Sequence, residues 1–262
     1  MEVEESLSDE RVWGRHPVLE LLRRGGRQVD EVAVLVGAAG ALGEVVALAR
    51  RSGVKVSFRT RDQLTAMSGS SEHQGVVARV ASAEYVDLDA LLRIPGSRGE
   101  PALVLALDQI QDPRNLGALL RTAEAMGVHG VVIPKHHAVG LTGAVARTSV
   151  GAVEHIAVAR ETNMVSALEK FKRSGIWVYG AVARGGTPCW RVSFTGPVCI
   201  VLGAEGEGLR PLVAKSCDGL LTIPMPGHVG SLNVAAAGAV LCYEVYRQRH
   251  GMKHLDLTVT RT

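Results

Sequence analysis

Six stretches beyond residue 100 constrain the fold of this chain more than anything else in it: ALVLALD, GVVIP, HIAVA, IWVYGAVA, VCIVLG and GLLTIPM. Each is a continuous apolar run, with no alternation of apolar and polar residues. A strand that shows water neither face reads this way, and such strands belong to parallel sheets covered by helices on both sides. Residues 101–262 are therefore expected to form an α/β domain around a parallel sheet. Residues 1–80 alternate on a smaller scale. HPVLELLRR is amphipathic at helical spacing, EVAVLVG is a short apolar strand, ALGEVVALARRSG is a helix closed by Gly53, and VKVSF and GVVARV are two more strands. This segment is expected to be a compact α/β unit with its own core. Between the two, residues 81–100 end in PGSRGE and read as a linker.

Composition narrows the function. Apolar residues make up 47% and charged residues 21% of the chain, the balance of an ordinary soluble protein. No apolar run reaches membrane length, and residues 1–10, MEVEESLSDE, are acidic where a signal peptide is basic and then apolar, so a cytoplasmic protein with no membrane partner is expected. Cys189, Cys199, Cys217 and Cys242 have no metal-ligand or CxxC spacing, so they are expected to be reduced and structural, with no metal. Residues 11–80 hold 11 Lys/Arg against 6 Asp/Glu, a surplus that suits a polyanionic partner and equally a normally solvated surface.

Three stretches carry chemistry. In LDQIQDPRNLGALLRTAEAMGV, residues 107–128, an apolar run ends at an acid and a turn leads into a helix. Asp112 and Asn115 are candidate caps, Pro113 sets the turn and Gly127 stops the helix. Leu116, Leu119, Leu120, Ala123 and Met126 form one stripe, and Arg121 points about 160° from its centre. Its face is either plain solvated surface or the wall of a cleft at the carboxyl end of the preceding strand, where open α/β sheets place ligands. In CIVLGAEGEGLRP, residues 199–211, the glycines fall as G-x-x-G-x-G, the wrong order for a dinucleotide fingerprint. Glu205 and Glu207 inside the loop oppose a phosphate and suit a ligand with polar or cationic groups. In LLTIPMPGHVGSLNVAAAGAVLCYEVYRQR, residues 220–249, Ser231 is the expected cap of a helix whose residues 235–239 are all Ala or Gly and allow close backbone approach.

Together the three stretches resemble the SpoU/TrmH family of RNA ribose 2′-O-methyltransferases, within the SPOUT superfamily. Asn115 through Arg121 to Glu124 looks like its first motif, Gly203-x-Glu205-Gly206 its second, and IPM…G…SLNV its third; WGRHPVLELL to EHQGVVARV resembles the family's small substrate-binding domain of ribosomal-protein L30e type. The likeness is strongest to the bacterial branch that modifies guanosine in 23S ribosomal RNA. It implies a C-terminal trefoil-knotted domain, S-adenosylmethionine as cofactor, a ribosomal RNA substrate and a homodimer with the last helix near the subunit contact. It implies that Arg121 lies beside the methyl group and the incoming ribose, and that Asn115, Glu205 and Asn233 position the reacting groups. Ser231 has the same task, and Gly203, Ile223 and Leu232 hold the cofactor through their backbones. Arginine is effectively always protonated, which suits phosphate clamping and stabilisation of a developing alkoxide better than proton abstraction. Rival readings are transfer RNA or another ribosomal nucleoside as target, a catalytically silent RNA-binding assembly factor and, more distantly, a nicotinamide-dependent oxidoreductase.

Overall fold

The structure, a computed structural model, describes residues 10–38 and 40–251; the acidic opening of the chain lies outside them except for Glu10. The N-terminal unit runs β1 (Glu10–Trp13), α1 (Arg15–Arg24), β2 (Val29–Leu35), α2 (Gly43–Arg51), β3 (Lys55–Arg59), α3 (Arg61–Ser68) and β4 (Val76–Val80). Its sheet has the order β1-β4-β2-β3, with β4 antiparallel to both neighbours and β2 parallel to β3. Helix α1 buries Val18, Leu19, Leu21 and Leu22 and ends at Gly25, whose φ of 62° is the left-handed closure that glycine adopts without strain. Strand β1 and helix α3 escape a sequence reading because both are short. Helix α3 buries only Leu64, so it shows no stripe, and it is held at its start by a capping box between Thr60 and Gln63.

The second unit contains α4 (Leu88–Arg98), β5 (Leu103–Asp108), α5 (Pro113–Ala125), β6 (Gly130–Pro134), α6 (Gly143–Thr148) and β7 (Ala157–Glu161). It continues through α7 (Met164–Arg173), β8 (Trp177–Ala181), β9 (Thr187–Pro188), β10 (Val198–Gly203), α8 (Pro211–Ser216), β11 (Gly219–Thr222) and α9 (Val234–His250). All seven strands are parallel, in the order β7-β6-β5-β10-β8-β11-β9. The continuous apolar runs are thus explained: every residue of β5 and β6 is buried. One face of the sheet packs into the cluster that holds Leu116, Leu119 and Leu120 of α5 with Leu241 and Val245 of α9. The other packs against Leu91 of α4, Leu168 and Phe171 of α7 and Val213 of α8.

The stretch read as a linker is in part helical. Asp87 caps α4 through the Ala90 amide, and Leu88, Leu91 and Pro95 are buried. Pro95 and Gly96 look like breakers in the sequence, yet they fall in the last turns of α4, and the helix closes one residue after Arg98 at Gly99, φ 66°. The two units also share one apolar cluster, running from Val12 and Val18 to Val145 and Ala146. Where α6 meets β1, a Cβ on Gly143 would lie 1.9 Å from the Arg11 carbonyl oxygen, so only glycine permits this approach. Beside that contact the Arg27 guanidinium is buried between carboxylates of both units, 2.7 Å from Glu10 and 3.0 Å from Glu154, and also donates to the Ala81 carbonyl. Among the described residues no helix is long and apolar enough to cross a membrane.

Candidate active site

The carboxyl ends of β5, β10, β8 and β11 converge on one edge of the sheet. Strand β5 ends at Asp108, whose side chain is fully buried and pairs with Arg210. Its oxygens accept from the Arg210 amide at 3.0 Å and from Nε at 2.9 Å. A buried charge is tolerated only when paired and hydrogen-bonded, so this pair fastens the loop after β10 to the end of β5. The acid ending an apolar run was the sequence signal for it; its arginine partner, 102 positions away, had none.

The loop after β10 explains the order of its glycines. Ala204 and Gly208 exchange backbone hydrogen bonds of 3.1 and 2.9 Å, and Gly206 and Gly208 take φ values of 81° and 72°. Gly203 lies under this turn: a Cβ there would stand 2.1 Å from the carbonyl carbon of Gly208. The turn holds Glu205 out toward the start of α9.

There Asn233 meets it. The Asn233 side-chain amide donates to Asn115 Oδ1 at 3.0 Å and to Glu205 Oε1, while its own oxygen accepts from the amides of Ala235 and Ala236. The cap of α9 is therefore Asn233, not Ser231, which lies in the loop two residues earlier. Likewise Asp112 caps α5, accepting from the Arg114 amide, with Pro113 at the first helical position; Asn115 sits inside the first turn and is free to face Asn233. The Arg114 guanidinium holds the Asp112 carboxyl below the usual carboxylate range through its hydrogen bonds. The first turn of α5 is anchored from behind, where Thr148 donates to the Pro113 carbonyl. A Cβ on Gly117 would lie 2.0 Å from that hydroxyl. Helix α9 lies close to α5 because Gly238 faces Leu119, where a Cβ would be 2.5 Å from Cδ2. Gly238, within the run of small residues, thus serves packing inside the chain.

A cavity of about 440 Å³ opens beside this hydrogen-bonded cluster. Gly203, Ile223, Leu232 and Ser231 all line it, together with Glu205 and Asn233. Sequence reading missed the wall made by Ala181, Val182 and Ala183. Its signal was the end of the run IWVYGAVA, since ligands in such sheets sit beyond strand carboxyl ends. Among the described residues Glu205 is the one ionisable side chain on the lining. A phosphate has no cation to meet there, whereas a small ligand with a positive centre and an apolar ring has both a carboxylate and an apolar wall.

Arg121 does not join the cluster. It projects from the exposed side of α5, away from the buried Leu116, Leu119, Leu120 and Ala123, and lines none of the described cavities. Four of the eight candidate residues expected at the site, Asn115, Glu205, Asn233 and Ser231, bring polar side chains to it, three of them bonded to one another.

Residues 102–243 match the model of the SpoU rRNA methylase family, over half of the chain. The chain belongs to the SpoU rRNA methylase family. Residues 11–86 match the RNA 2′-O ribose methyltransferase substrate-binding family as well. The SpoU-family assignment extends to whole relatives. A putative TrmH family tRNA/rRNA methyltransferase of Bacillus subtilis, YacO, is 41% identical over 239 residues, covering 91% of this chain and 96% of that one. A putative TrmH family tRNA/rRNA methyltransferase of Staphylococcus aureus is 37% identical over 245 residues, covering 93% and 98%. The SpoU methyltransferase AviRb of Streptomyces viridochromogenes, solved in complex with AdoMet, superposes with a TM-score of 0.77 at 26% identity over 92% of this chain and 90% of that one. A putative RNA methyltransferase of the TrmH family from Porphyromonas gingivalis gives 0.70 at 29%, over 91% and 90%. The chain is an RNA 2′-O-methyltransferase of the SpoU/TrmH family, with a substrate-binding unit ahead of the methylase unit.

Proposed function

We propose that this SpoU-family methylase transfers the methyl group of S-adenosylmethionine to the ribose 2′-hydroxyl of a guanosine in 23S ribosomal RNA. The observation that carries the reading is the Asn115–Asn233–Glu205 cluster at the mouth of the carboxyl-end cavity. When bound, the cofactor supplies an electrophilic methyl group on a cationic sulfur. The lining fits it: a carboxylate and no basic side chain among the described residues, with backbone and small apolar groups for the adenine. Gly203, Ile223 and Leu232 would hold it through their backbones and Ser231 through its hydroxyl. Asn233 fixes Glu205 and Asn115 in one orientation, and methyl transfer needs oxygen, carbon and sulfur in line. The motif resemblance, not a place in the cluster, supports the role of Arg121, which would clamp the phosphate next to the target ribose and stabilise the alkoxide as it forms. The N-terminal unit, residues 1–80, grips RNA backbone, so binding falls steeply with salt.

The active form is a homodimer. Val240, Tyr243 and Tyr246 expose 41%, 57% and 42% of their surface along one side of α9, an apolar stripe that a second copy would cover. The guanosine assignment follows from the bacterial 23S branch that the three motifs resemble.

The test is methyl incorporation from labelled S-adenosylmethionine into unmodified 23S ribosomal RNA and transfer RNA transcripts, for wild type and Arg121→Ala. Label at one guanosine of 23S RNA, reduced at least 100-fold in the variant, is the expected result. Label in transfer RNA alone would overturn the substrate assignment. No label despite S-adenosylmethionine binding would favour the silent RNA-binding factor.

A further inference from the structure

A second cavity, of about 260 Å³, lies between the loop after β5 and the loop after β10. These two strands are neighbours at the point where the sheet order reverses, with β6 and β7 on one side and β8, β11 and β9 on the other. Ligands in open α/β sheets occupy this crevice. The cavity shares Glu205, Ala204 and Val234 with the cofactor cavity and also borders Asn115, so the same hydrogen-bonded cluster forms the wall between the two.

Its remaining walls are of two kinds. Ile110 and Val234, 3% and 6% exposed, close it on the side of the core. Gln109, Gln111, Asp112 and Glu207 give it a polar side; Asp112 is taken up by Arg114 and the cap of α5, and the side chains of Gln109, Gln111 and Glu207 make no hydrogen bond or ion pair with other described residues. Asn115, Glu205 and Asn233 next door are committed to one another; these three are left for something else. Uncommitted donors and acceptors around a crevice are what the edge of a splayed-out base requires. The free carboxylate decides which base. An ionised carboxylate only accepts hydrogen bonds, and guanine alone presents two adjacent N–H donors, N1–H and the 2-amino group, on its Watson–Crick edge. Adenine and cytosine set an acceptor beside their amino group, and uracil has one N–H between two carbonyls.

We propose that this second cavity receives the base of the target nucleotide and that Glu207 selects guanine there; the inference rests on reading the chain as a guanosine ribose methylase. The test uses the full chain and transcripts carrying guanosine, inosine or adenosine at the mapped position. The kcat/KM of wild type and Glu207→Gln is compared on each, with S-adenosylmethionine affinity measured by calorimetry. Glu207 is exposed and unpaired, so the variant folds. A bidentate contact of this kind discriminates by roughly 10- to 100-fold. Inosine, which lacks the 2-amino group, is expected to lose that factor with wild type. The variant loses it on guanosine, loses nothing further on inosine, and binds the cofactor as before. Equal losses on guanosine and inosine, or weakened cofactor binding, would overturn the role of Glu207 while the guanosine reading stands. A methyl mapped to another base would overturn both. A readout independent of turnover is photocross-linking from 6-thioguanosine at the target: adducts are expected on residues 109–115 or 204–208, and adducts confined to other segments would overturn the cavity assignment even if no transfer is seen.

Discussion

Asn233 does two jobs at once, and two substitutions separate them. Its oxygen caps α9 and its amide joins Glu205 to Asn115. Asn233→Ala removes both. Loss of a cap costs about 1 kcal/mol, which for a chain of this size lowers Tm by roughly 2–4 °C at any pH. Asn233→Asp keeps the cap, since Asp and Asn serve equally well, but turns a donor into a second carboxylate against Glu205. Two such charges about 4 Å apart repel by about 1 kcal/mol in water and about 4 kcal/mol at an effective dielectric of 20. The cluster is exposed, so the lower figure applies. The sign in pH follows from linkage. Repulsion raises the folded-state pKa of the carboxylates above the unfolded value, so the penalty is full above the folded value and fades as pH falls through it. The expected result in thermal unfolding is a Tm deficit of roughly 2–4 °C for the Asp variant at pH 7 that begins to shrink near pH 5 and closes toward about pH 4, beside a pH-independent deficit for the Ala variant. Both variants lose methyl transfer, because neither can hold Glu205 and Asn115 together. An Ala variant as stable as wild type, or an Asp variant whose deficit ignores pH, would rule out this double role for Asn233.

Three further outcomes follow from other parts of the molecule. Gly203→Ala places a Cβ 2.1 Å from the Gly208 carbonyl carbon, so the loop must open and S-adenosylmethionine affinity should fall at least tenfold by calorimetry. Arg27→Met strands Glu10 and Glu154 without their shared cation, which should cost about 3–5 kcal/mol in urea unfolding. Burial already raises the Glu10 carboxyl above its ordinary value despite Arg27, so that deficit should be largest at neutral pH and shrink on acidification. Burial pushes the Cys217 and Cys242 thiols up to about 11 and about 12, leaving on the order of a thousandth or less as thiolate at pH 8. Alkylation of either at pH 8 should therefore be negligible in the native protein and appear only on unfolding, read by peptide mass spectrometry.

How much of this was legible beforehand depends on where each signal resides. The runs VCIVLG and GVVIP coincide with β10 and β6 because a strand buried on both faces has no polar position to confuse its ends. HIAVA begins two residues before β7, which runs from Ala157 to Glu161, since the edge of a sheet tolerates polar residues. Helix α4 was hidden by Pro95 and Gly96, residues that signal a break in general but sit here in a final turn. Ser231 and Asn233 are both good caps by residue type, and only the hydrogen bonds to Ala235 and Ala236 decide between them. The bond from Asn233 to Asn115 spans 118 positions, a juxtaposition that no local pattern encodes and that the motif resemblance alone suggested. Arg121 teaches the converse: its orientation away from the apolar stripe was readable from helical geometry, but its place relative to the other site residues was not.

The position of the transferred methyl group separates a ribose methylase from a base methylase. RNA modified by the purified protein is cleaved in alkali, which requires a free 2′-hydroxyl at each link. One resistant link is expected, immediately 3′ of a single guanosine of 23S RNA, that appears only with S-adenosylmethionine and is absent with Arg121→Ala. Label incorporated while every link remains cleavable would place the methyl on a base and rule out ribose methylation.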